Sequence, residues 1–160
     1  MFMADGKGEI RCRVATIADI EALAELRWQM ATEYQAGNGA REEYIAAFCE
    51  SVRDDLAQGR YQAWLAEADG QPVACTVLIW WPMPPNIEDL QRRRGYVSSV
   101  YTHPNFRRLG LARRLMEMLV AQARELHIGK LLLSSSSMGR PLYLSMGFVI
   151  PERGLEIELS

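Results

Sequence analysis

The chain has 160 residues, 49% of them hydrophobic, which predicts one compact domain with a substantial core. Its formal net charge of −2 at pH 7 disfavours a protein whose main task is to bind nucleic acid, because such domains are usually strongly basic.

Cysteine usage and hydropathy indicate the cellular compartment in which the protein is expected. Cys12, Cys49 and Cys75 show neither metal-ligand nor disulfide spacing, so we expect no metal site and a reducing compartment. No apolar run reaches the length of a signal-peptide core or of a membrane span. The sequence therefore predicts a soluble cytoplasmic protein without a membrane partner.

The first half of the chain predicts a polar tail, then a strand, two helices and a hairpin. Residues 1–8 are polar and contain glycine, and we expect them to be disordered. Thr16 and Asp19 form a capping-box pattern at the start of the first helix. The predicted elements are a strand over Ile10–Ala15, a helix from Ile17 to about Tyr34, a helix over Arg41–Ala57, and strands over Tyr61–Ala68 and Pro72–Trp81. The last of these is nearly all apolar, so we expect it to be central in the sheet.

The second half alternates strands with helices. Its predicted elements are a strand over Gly95–Thr102, a helix over Leu111–His127, a strand over Lys130–Leu133, a short helix ending at Met146-Gly147-Phe148, and a closing strand over Leu155–Leu159. The resulting order, β-α-α-β-β-β-α-β-α-β, places consecutive antiparallel strands before a β-α-β crossover. We therefore expect residues 9–160 to form one α+β domain with a mixed sheet.

A glycine-containing turn over Arg107–Ala112, with the sequence RRLGLA, lies between a predicted strand and a predicted helix. Gly110 permits a positive φ angle, and small Ala112 lets a ligand approach the helix start closely. The backbone N–H groups there, from about Leu109 to Arg113, lack intrahelical partners and suit pyrophosphate oxygens, to which the flanking arginines can add hydrogen bonds. Taken alone, the pattern also fits an ordinary turn with solvated arginines.

A second pattern places Tyr143 four residues before Gly147-Phe148, on a short helix that ends at the glycine. Taken alone, this pattern fits an amphipathic helix that carries a half-buried tyrosine. The spacing between the two patterns, and their order along the chain, add information that neither holds by itself.

Together, the two patterns resemble the GNAT superfamily of acyl-CoA-dependent N-acetyltransferases. Val100–Met116, VYTHPNFRRLGLARRLM, is similar to the acetyl-CoA motif of that family. Gly139–Phe148, GRPLYLSMGF, is similar to its later motif, in which a helix ends Y-x-x-x-G-F. The resemblance covers nearly the whole chain and implies a mixed, mostly antiparallel sheet with helices on both faces.

The resemblance also implies a role for each matching position. The implied cofactor site comprises Val100, Tyr101 and Thr102 on the strand that pairs with pantetheine, and Arg107, Arg108, Leu109, Gly110, Leu111, Ala112 and Arg113 in the pyrophosphate loop. Tyr143 matches the tyrosine that acts as general acid near the thioester sulfur. Two positions depart from the family pattern: Ala112 replaces the second glycine of the loop, and serines replace an asparagine near the later helix. Ser136 is the candidate for that missing contact.

The resemblance implies direct transfer from acetyl-CoA to an amine in a ternary complex. A backbone N–H near Tyr101 is placed to stabilise the oxyanion, and Tyr143 to protonate the departing sulfur. The base is less defined: Glu33, Glu88 and Asp89 are candidates, and each also fits a solvated surface carboxylate. The acceptor is expected to be a small-molecule amine, with a peptide as the less favoured choice.

Two alternatives come from other classes of protein. The same fold can serve as a catalytically inactive CoA-binding or regulatory module, against which the presence of Tyr143 argues mildly. A small nucleic-acid-binding protein is the other alternative, and the net charge argues against it. A homodimer is expected only from the family resemblance.

Overall fold

The computed structural model describes residues 2–3, 8–34, 40–85, 87, 90–152 and 157–159. Its strands are β1 (Phe2–Met3), β2 (Glu9–Val14), β3 (Tyr61–Ala68), β4 (Gln71–Pro82), β5 (Arg93–Thr102) and β6 (Ile128–Leu132). Its helices are α1 (Ile20–Tyr34), α2 (Arg41–Ala57), α3 (Leu111–Glu125) and α4 (Arg140–Ser145). One-turn 3₁₀ helices over Ile17–Asp19 and Pro104–Phe106 precede α1 and α3.

The strands of the described chain form one sheet in the order β1-β2-β3-β4-β5-β6. Neighbouring strands are antiparallel except for β5 and β6, which are parallel and are connected through α3. The β3–β4 hairpin turns at Asp69 and Gly70, whose φ angles of 48° and 79° suit a tight turn between twisted strands. The predicted α+β fold with a mixed, mostly antiparallel sheet is confirmed.

Helices cover both faces of the sheet, as expected. α1 and α2 pack on one face against Ala63, Leu65 and other side chains, while α3 packs on the opposite face against Trp64 and Ala66. This alternation follows from the period-2 geometry of a strand, which sends successive side chains to opposite faces. β4 is buried continuously from Val73 to Leu78, which confirms its predicted central position.

Helix and strand ends differ from the sequence analysis in the second half of the chain. α3 ends at Glu125 and not at His127, because the chain turns at His127, where φ is 52°. The following strand consequently begins at Ile128, two residues earlier than the predicted Lys130. The Thr16–Asp19 capping box is present.

The chain termini also differ from the predictions. Phe2–Met3 pairs with Glu9 and Ile10 as a short strand that the sequence analysis did not predict. The predicted closing strand over Leu155–Leu159 is not observed where the structure describes it: Ile157–Leu159 is not in a strand, and residues 155 and 156 lie outside the described chain. Alternating apolar residues show that a segment could bury one face, but a strand also needs a neighbouring strand to pair with. Ile157 is 79% exposed, so the predicted apolar face is not buried at this residue.

Candidate active site

A bulge interrupts the pairing of β4 with β5 in the middle of the sheet. Ser99 and Val100 oppose the single residue Thr76, and Ser99 adopts a φ of 54° that L-residues rarely occupy. The Ser99 carbonyl accepts a hydrogen bond of 3.1 Å from the Cys75 thiol. Burial raises the pKa of Cys75 to about 12, so the thiol keeps the proton that it donates. The bulge re-aims the backbone groups that lie just before Tyr101.

β5 and β6 pair along the first part of β5 and separate beyond it. Their parallel pairing runs from Arg93 with Ile128 to Tyr96 with Leu132, where β6 ends. At this fork the Tyr96 hydroxyl donates to the Ser134 hydroxyl at 3.2 Å. In the described chain, the edge of β5 beyond Tyr96 is therefore not covered by β6. Such an edge can pair with the amides of an extended ligand in the manner of an added strand.

The turn after β5 presents the start of α3 at the same end of the sheet. Arg108 and Gly110 have φ angles of 64° and 76°, and Gly110 is the N-cap residue of α3. The first helical hydrogen bond is donated by Arg114 N–H to the Gly110 carbonyl at 3.0 Å. The N–H groups of Leu111, Ala112 and Arg113 therefore have no partner within the helix. Together with the helix dipole they form a suitable anion site.

The arginines of this turn point in different directions. The Arg107 Nη2 lies 2.6 Å from both carboxylate oxygens of Glu33 on α1. Arg113, in contrast, donates to the Ser145 hydroxyl on α4 at 2.6 Å. Arg108 and Arg113 are exposed beside the turn. The guanidinium of Arg113 thus reaches α4, and that of Arg107 reaches α1.

Tyr143 is buried on α4, in the same hydrophobic cluster as Val97 of β5 and Leu111 of α3. Its ring lies 5.9 Å from that of Phe148 in an edge-to-face arrangement. Gly139 faces the tyrosine so closely that a Cβ there would lie 3.0 Å from the ring carbon Cε2. A side chain at this position would therefore require the tyrosine ring to shift by a few tenths of an ångström.

Ser136 lies on the turn that precedes α4. Its hydroxyl accepts a hydrogen bond of 3.1 Å from Gly139 N–H, and both the Ser136 and the Tyr143 hydroxyl oxygens lie 3.4 Å from the point where a Gly139 Cβ would stand. Ser136 thus shapes the turn beside the tyrosine, and its hydroxyl proton is still able to bond to a ligand.

The remaining predicted strand residues fall on both faces of β5. Val100 packs towards the α3 side, whereas Tyr101 is buried on the side of α1 and α2. The Thr102 hydroxyl is buried and has no hydrogen-bond partner among the described residues. Leu109 packs against the α3-side core. An unpaired buried hydroxyl is unusual, and a ligand that donates or accepts a hydrogen bond there would satisfy it.

The structure describes only one of the three candidate bases. Glu33 is paired with Arg107, and Glu88 and Asp89 lie outside the described residues. Sequence reasoning missed the roles of Cys75, which belongs to no motif, and of Gly139, which is only the first residue of the later motif. Both act through contacts that depend on the fold. Within the described ranges, no cluster of three or more His, Cys, Asp or Glu side chains could hold a metal ion. No helix in this part of the chain is long and apolar enough to cross a bilayer.

Comparison with known proteins places this geometry in a family. The sequence model of the acetyltransferase (GNAT) family matches residues 20–148, which include both motifs. A search among curated proteins gives no significant match.

Solved structures resemble the chain over nearly its full length. One, described as a predicted acetyltransferase with acetyl-CoA from Clostridium acetobutylicum, is 30% identical, has a TM-score of 0.82, and aligns over 94% of this chain and 96% of that chain. A GCN5-related N-acetyltransferase from Ralstonia eutropha is 32% identical, with a TM-score of 0.76 and coverage of 94% and 99%. A ribosomal-protein-alanine N-acetyltransferase from Brucella melitensis, 21% identical with a TM-score of 0.70 and coverage of 95% and 100%, shares the fold.

Proposed function

Because the chain belongs to the GNAT acetyltransferase family, we propose that it moves an acetyl group from acetyl-CoA to a small-molecule amine, by direct transfer in a ternary complex. The observation that carries the proposal is the meeting of three features at one end of the sheet. Among the described residues, these are the edge of β5 that β6 does not cover beyond Tyr96, the N–H groups at the start of α3 that have no partner within the helix, and Tyr143, which shares one hydrophobic cluster with β5 and α3. The acetyl-CoA in the related clostridial structure supports the same cosubstrate.

The chain supplies groups that fit each part of acetyl-CoA. The edge of β5 suits the amides of the pantetheine arm, and the unpaired hydroxyl of Thr102 can bond to a polar atom there. The start of α3, with Arg108 and Arg113, suits the pyrophosphate. The proposed contacts are Val100, Tyr101 and Thr102 on the strand, Arg108, Leu109, Gly110, Leu111, Ala112 and Arg113 in the loop, and Ser136 beside the tyrosine.

Acetyl-CoA supplies a thioester, and the protein has to manage charge and protons around it. An alkyl amine titrates near roughly 10.4, so it is mostly protonated at pH 7 and has to lose a proton before it attacks. Backbone N–H groups next to the bulge, near Tyr101, are proposed to stabilise the negative charge that develops on the carbonyl oxygen. Such donors contribute a few kcal/mol in comparable sites.

Tyr143 is proposed as the general acid that protonates the departing sulfur. The pKa of a tyrosine, about 10, lies above that of a thiol, about 8.5, so the transfer is modestly uphill but feasible. Glu33 is not proposed as the base, because both of its carboxylate oxygens accept hydrogen bonds from Arg107. The amine proton is proposed to leave through a water relay to solvent, and Glu88 and Asp89 stay the other candidate bases.

Replacement of Tyr143 by Phe tests this assignment. We expect Tyr143→Phe to lower kcat by about 10²-fold or more, because one general acid typically contributes that much, while the Kd of acetyl-CoA changes little. Calorimetry gives the Kd and a CoA-release assay gives kcat. Tyr61→Phe is the matched control. Tyr61 is buried on the opposite face of the sheet from Tyr143, and its hydroxyl has no partner among the described residues, so its loss should leave kcat unchanged.

Two outcomes would count against the proposal. A Tyr143→Phe variant that turns over as fast as the parent would remove the general-acid role. A parent protein that binds acetyl-CoA but transfers the acetyl group to no amine would favour an inactive CoA-binding module. Such a module would still bind the cofactor through the Thr102 hydroxyl and the start of α3.

A further inference from the structure

The Arg107 side chain makes contacts with three residues, and these contacts connect two elements of the site. Its Nη2 bonds to both carboxylate oxygens of Glu33 at 2.6 Å, and its Nε donates to the Thr102 carbonyl at 3.0 Å. Its guanidinium carbon also lies 6.0 Å from the centre of the Tyr101 ring, within the range of a cation–π contact. The side chain therefore joins the end of α1 to the end of β5.

The ion pair between Arg107 and Glu33 is partly shielded from water. The side chains of Arg107 and Glu33 are 28% and 27% exposed, so solvent and salt screen the ion pair only in part. A planar guanidinium donates from Nε and Nη2 in fixed directions to different partners, and the rotatable ammonium group of a lysine lacks this rigid geometry. The contact fixes the carboxylate of Glu33, the penultimate residue of α1, against the strand that carries the proposed pantetheine contacts.

The same geometry draws Arg107 away from the anion site. Its backbone N–H already bonds to the Pro104 carbonyl at 3.3 Å, and its guanidinium contacts Tyr101, which lies on the face of the sheet covered by α1 and α2. The start of α3 belongs to the opposite face. Arg108 and Arg113, which are exposed beside the turn, are the arginines assigned to the phosphate groups.

We propose that Arg107 is a positioning residue and not a phosphate ligand, and that its ion pair with Glu33 sets the acceptor side of the site. The inference rests on the proposed acetyl transfer. By holding the end of α1 at a fixed distance from Tyr101 and Thr102, the pair determines where an amine can stand relative to the acetyl group. Its loss lets α1 move and weakens acceptor binding, while the acetyl-CoA contacts of β5 and α3 remain.

Variants on both sides of the pair test the proposal. Glu33→Gln and Arg107→Gln should each raise the KM of the amine about tenfold, and each should leave the Kd of acetyl-CoA within about twofold. Exchange of the two charges, in the double variant Glu33→Arg with Arg107→Glu, should restore part of the lost acceptor affinity. A loss of acceptor affinity that arises from each residue separately, and not from their pairing, would not be rescued by the exchange.

Arg108→Gln is the matched variant from the same turn. Because Arg108 is exposed and assigned to the phosphates, its replacement should give the reverse pattern, with acetyl-CoA bound about tenfold more weakly and the amine KM unchanged. If Arg107→Gln behaves like Arg108→Gln while Glu33→Gln has no effect, Arg107 is a phosphate ligand and the proposal is wrong.

The pair can also be examined without turnover. A double-mutant cycle on the free energy of unfolding should show favourable coupling between Glu33 and Arg107 in the protein without ligand. Absence of coupling would overturn the proposal even if the protein proves to be an active acetyltransferase. If the two residues are coupled but the protein acetylates no amine, the proposed function is wrong. The role of the pair in acceptor binding is then wrong as well.

Discussion

Ser99 is the residue at which the site departs from a regular strand. A φ of 54° at a non-glycine residue costs about 1 kcal/mol, so the surrounding contacts must favour this conformation. The Cys75 thiol supplies one of them by donating to the Ser99 carbonyl at 3.1 Å from the adjacent strand. Because Cys75 is completely buried beneath α1 and α2, this hydrogen bond is shielded from water.

Cys75→Ala should weaken both stability and catalysis. The change leaves the Ser99 carbonyl without this donor and opens a small cavity, so we expect the free energy of unfolding to fall by about 1–3 kcal/mol. Turnover should fall as well, because the bulge re-aims the N–H groups near Tyr101. Urea unfolding and the CoA-release assay measure the two effects.

The control for this prediction is Cys49→Ala, which removes a second buried thiol on α2, away from the bulge. It should lower stability by a similar amount without changing kcat. Equal loss of kcat in the two variants would show that the Cys75 thiol has no special relation to the bulge.

At the scale of elements, an ion-pair cluster fixes the start of α1 to the sheet. Arg13 on β2 donates to both carboxylate oxygens of Asp19 at 2.8 Å and to Glu67 on β3 at 2.5 Å. Asp19 also accepts hydrogen bonds from Thr16, which caps the helix start. The chain is therefore held by Arg13 at the 3₁₀ turn that leads into α1 and by Arg107 near the last residue of α1.

The hydrogen bonds from Arg13 hold the pKa of Asp19 well below its usual range. An aspartate in the unfolded chain titrates near about 3.9, so this group contributes stability above about pH 4 and loses it as the pH falls further. Asp19→Asn should therefore be less stable than the parent at pH 7 and show a shallower loss of stability below about pH 4. Thermal unfolding across that range measures both slopes.

Asp54→Asn, on the exposed side of α2, is the matched control and should follow the pH dependence of the parent. If the parent and Asp19→Asn instead lose stability in parallel below pH 4, Asp19 does not account for the acid sensitivity.

The elements show how far the sequence predicts this structure. The sequence located α3 by its periodic apolar residues and β4 by its continuous apolar run, because a helix with one buried face repeats apolar residues while a strand buried on both faces does not alternate. It gave no indication of the bulge, since Ser98 and Ser99 are equally compatible with a regular strand. Nor did it give the direction of Arg107, whose partner Glu33 is 74 residues away in the chain.

At the scale of the whole molecule, the sheet divides the protein into two parts. α3 and α4 lie on the side that carries the α3 start and Tyr143, which we assign to acetyl-CoA. α1 and α2 form the opposite side, where the Arg107–Glu33 pair is proposed to define the acceptor wall. β5 lies between the two parts, and its bulge and open edge bring the proposed donor and acceptor sides into contact.

The sequence predicts the donor side more fully than the acceptor side. The R-x-x-G-x-A turn and the Tyr143–Phe148 helix are local patterns whose chemistry depends mainly on residues close together in the chain. The acceptor side depends on how α1 meets β5, which is set by tertiary contacts. The identity of the amine is consequently a matter for direct measurement.

The central claim is acetyl transfer from acetyl-CoA to an amine, and a CoA-release assay over a panel of amines tests it most directly. The panel should include polyamines, amino acids, amino sugars, arylamines and short peptides, with mass spectrometry to detect the acetylated product. We predict that at least one small amine gains an acetyl group with release of one CoA for each product molecule, and that Tyr143→Phe slows this turnover. Release of CoA without any acetylated amine, or tight binding of acetyl-CoA with no turnover on any member of the panel, would contradict the account.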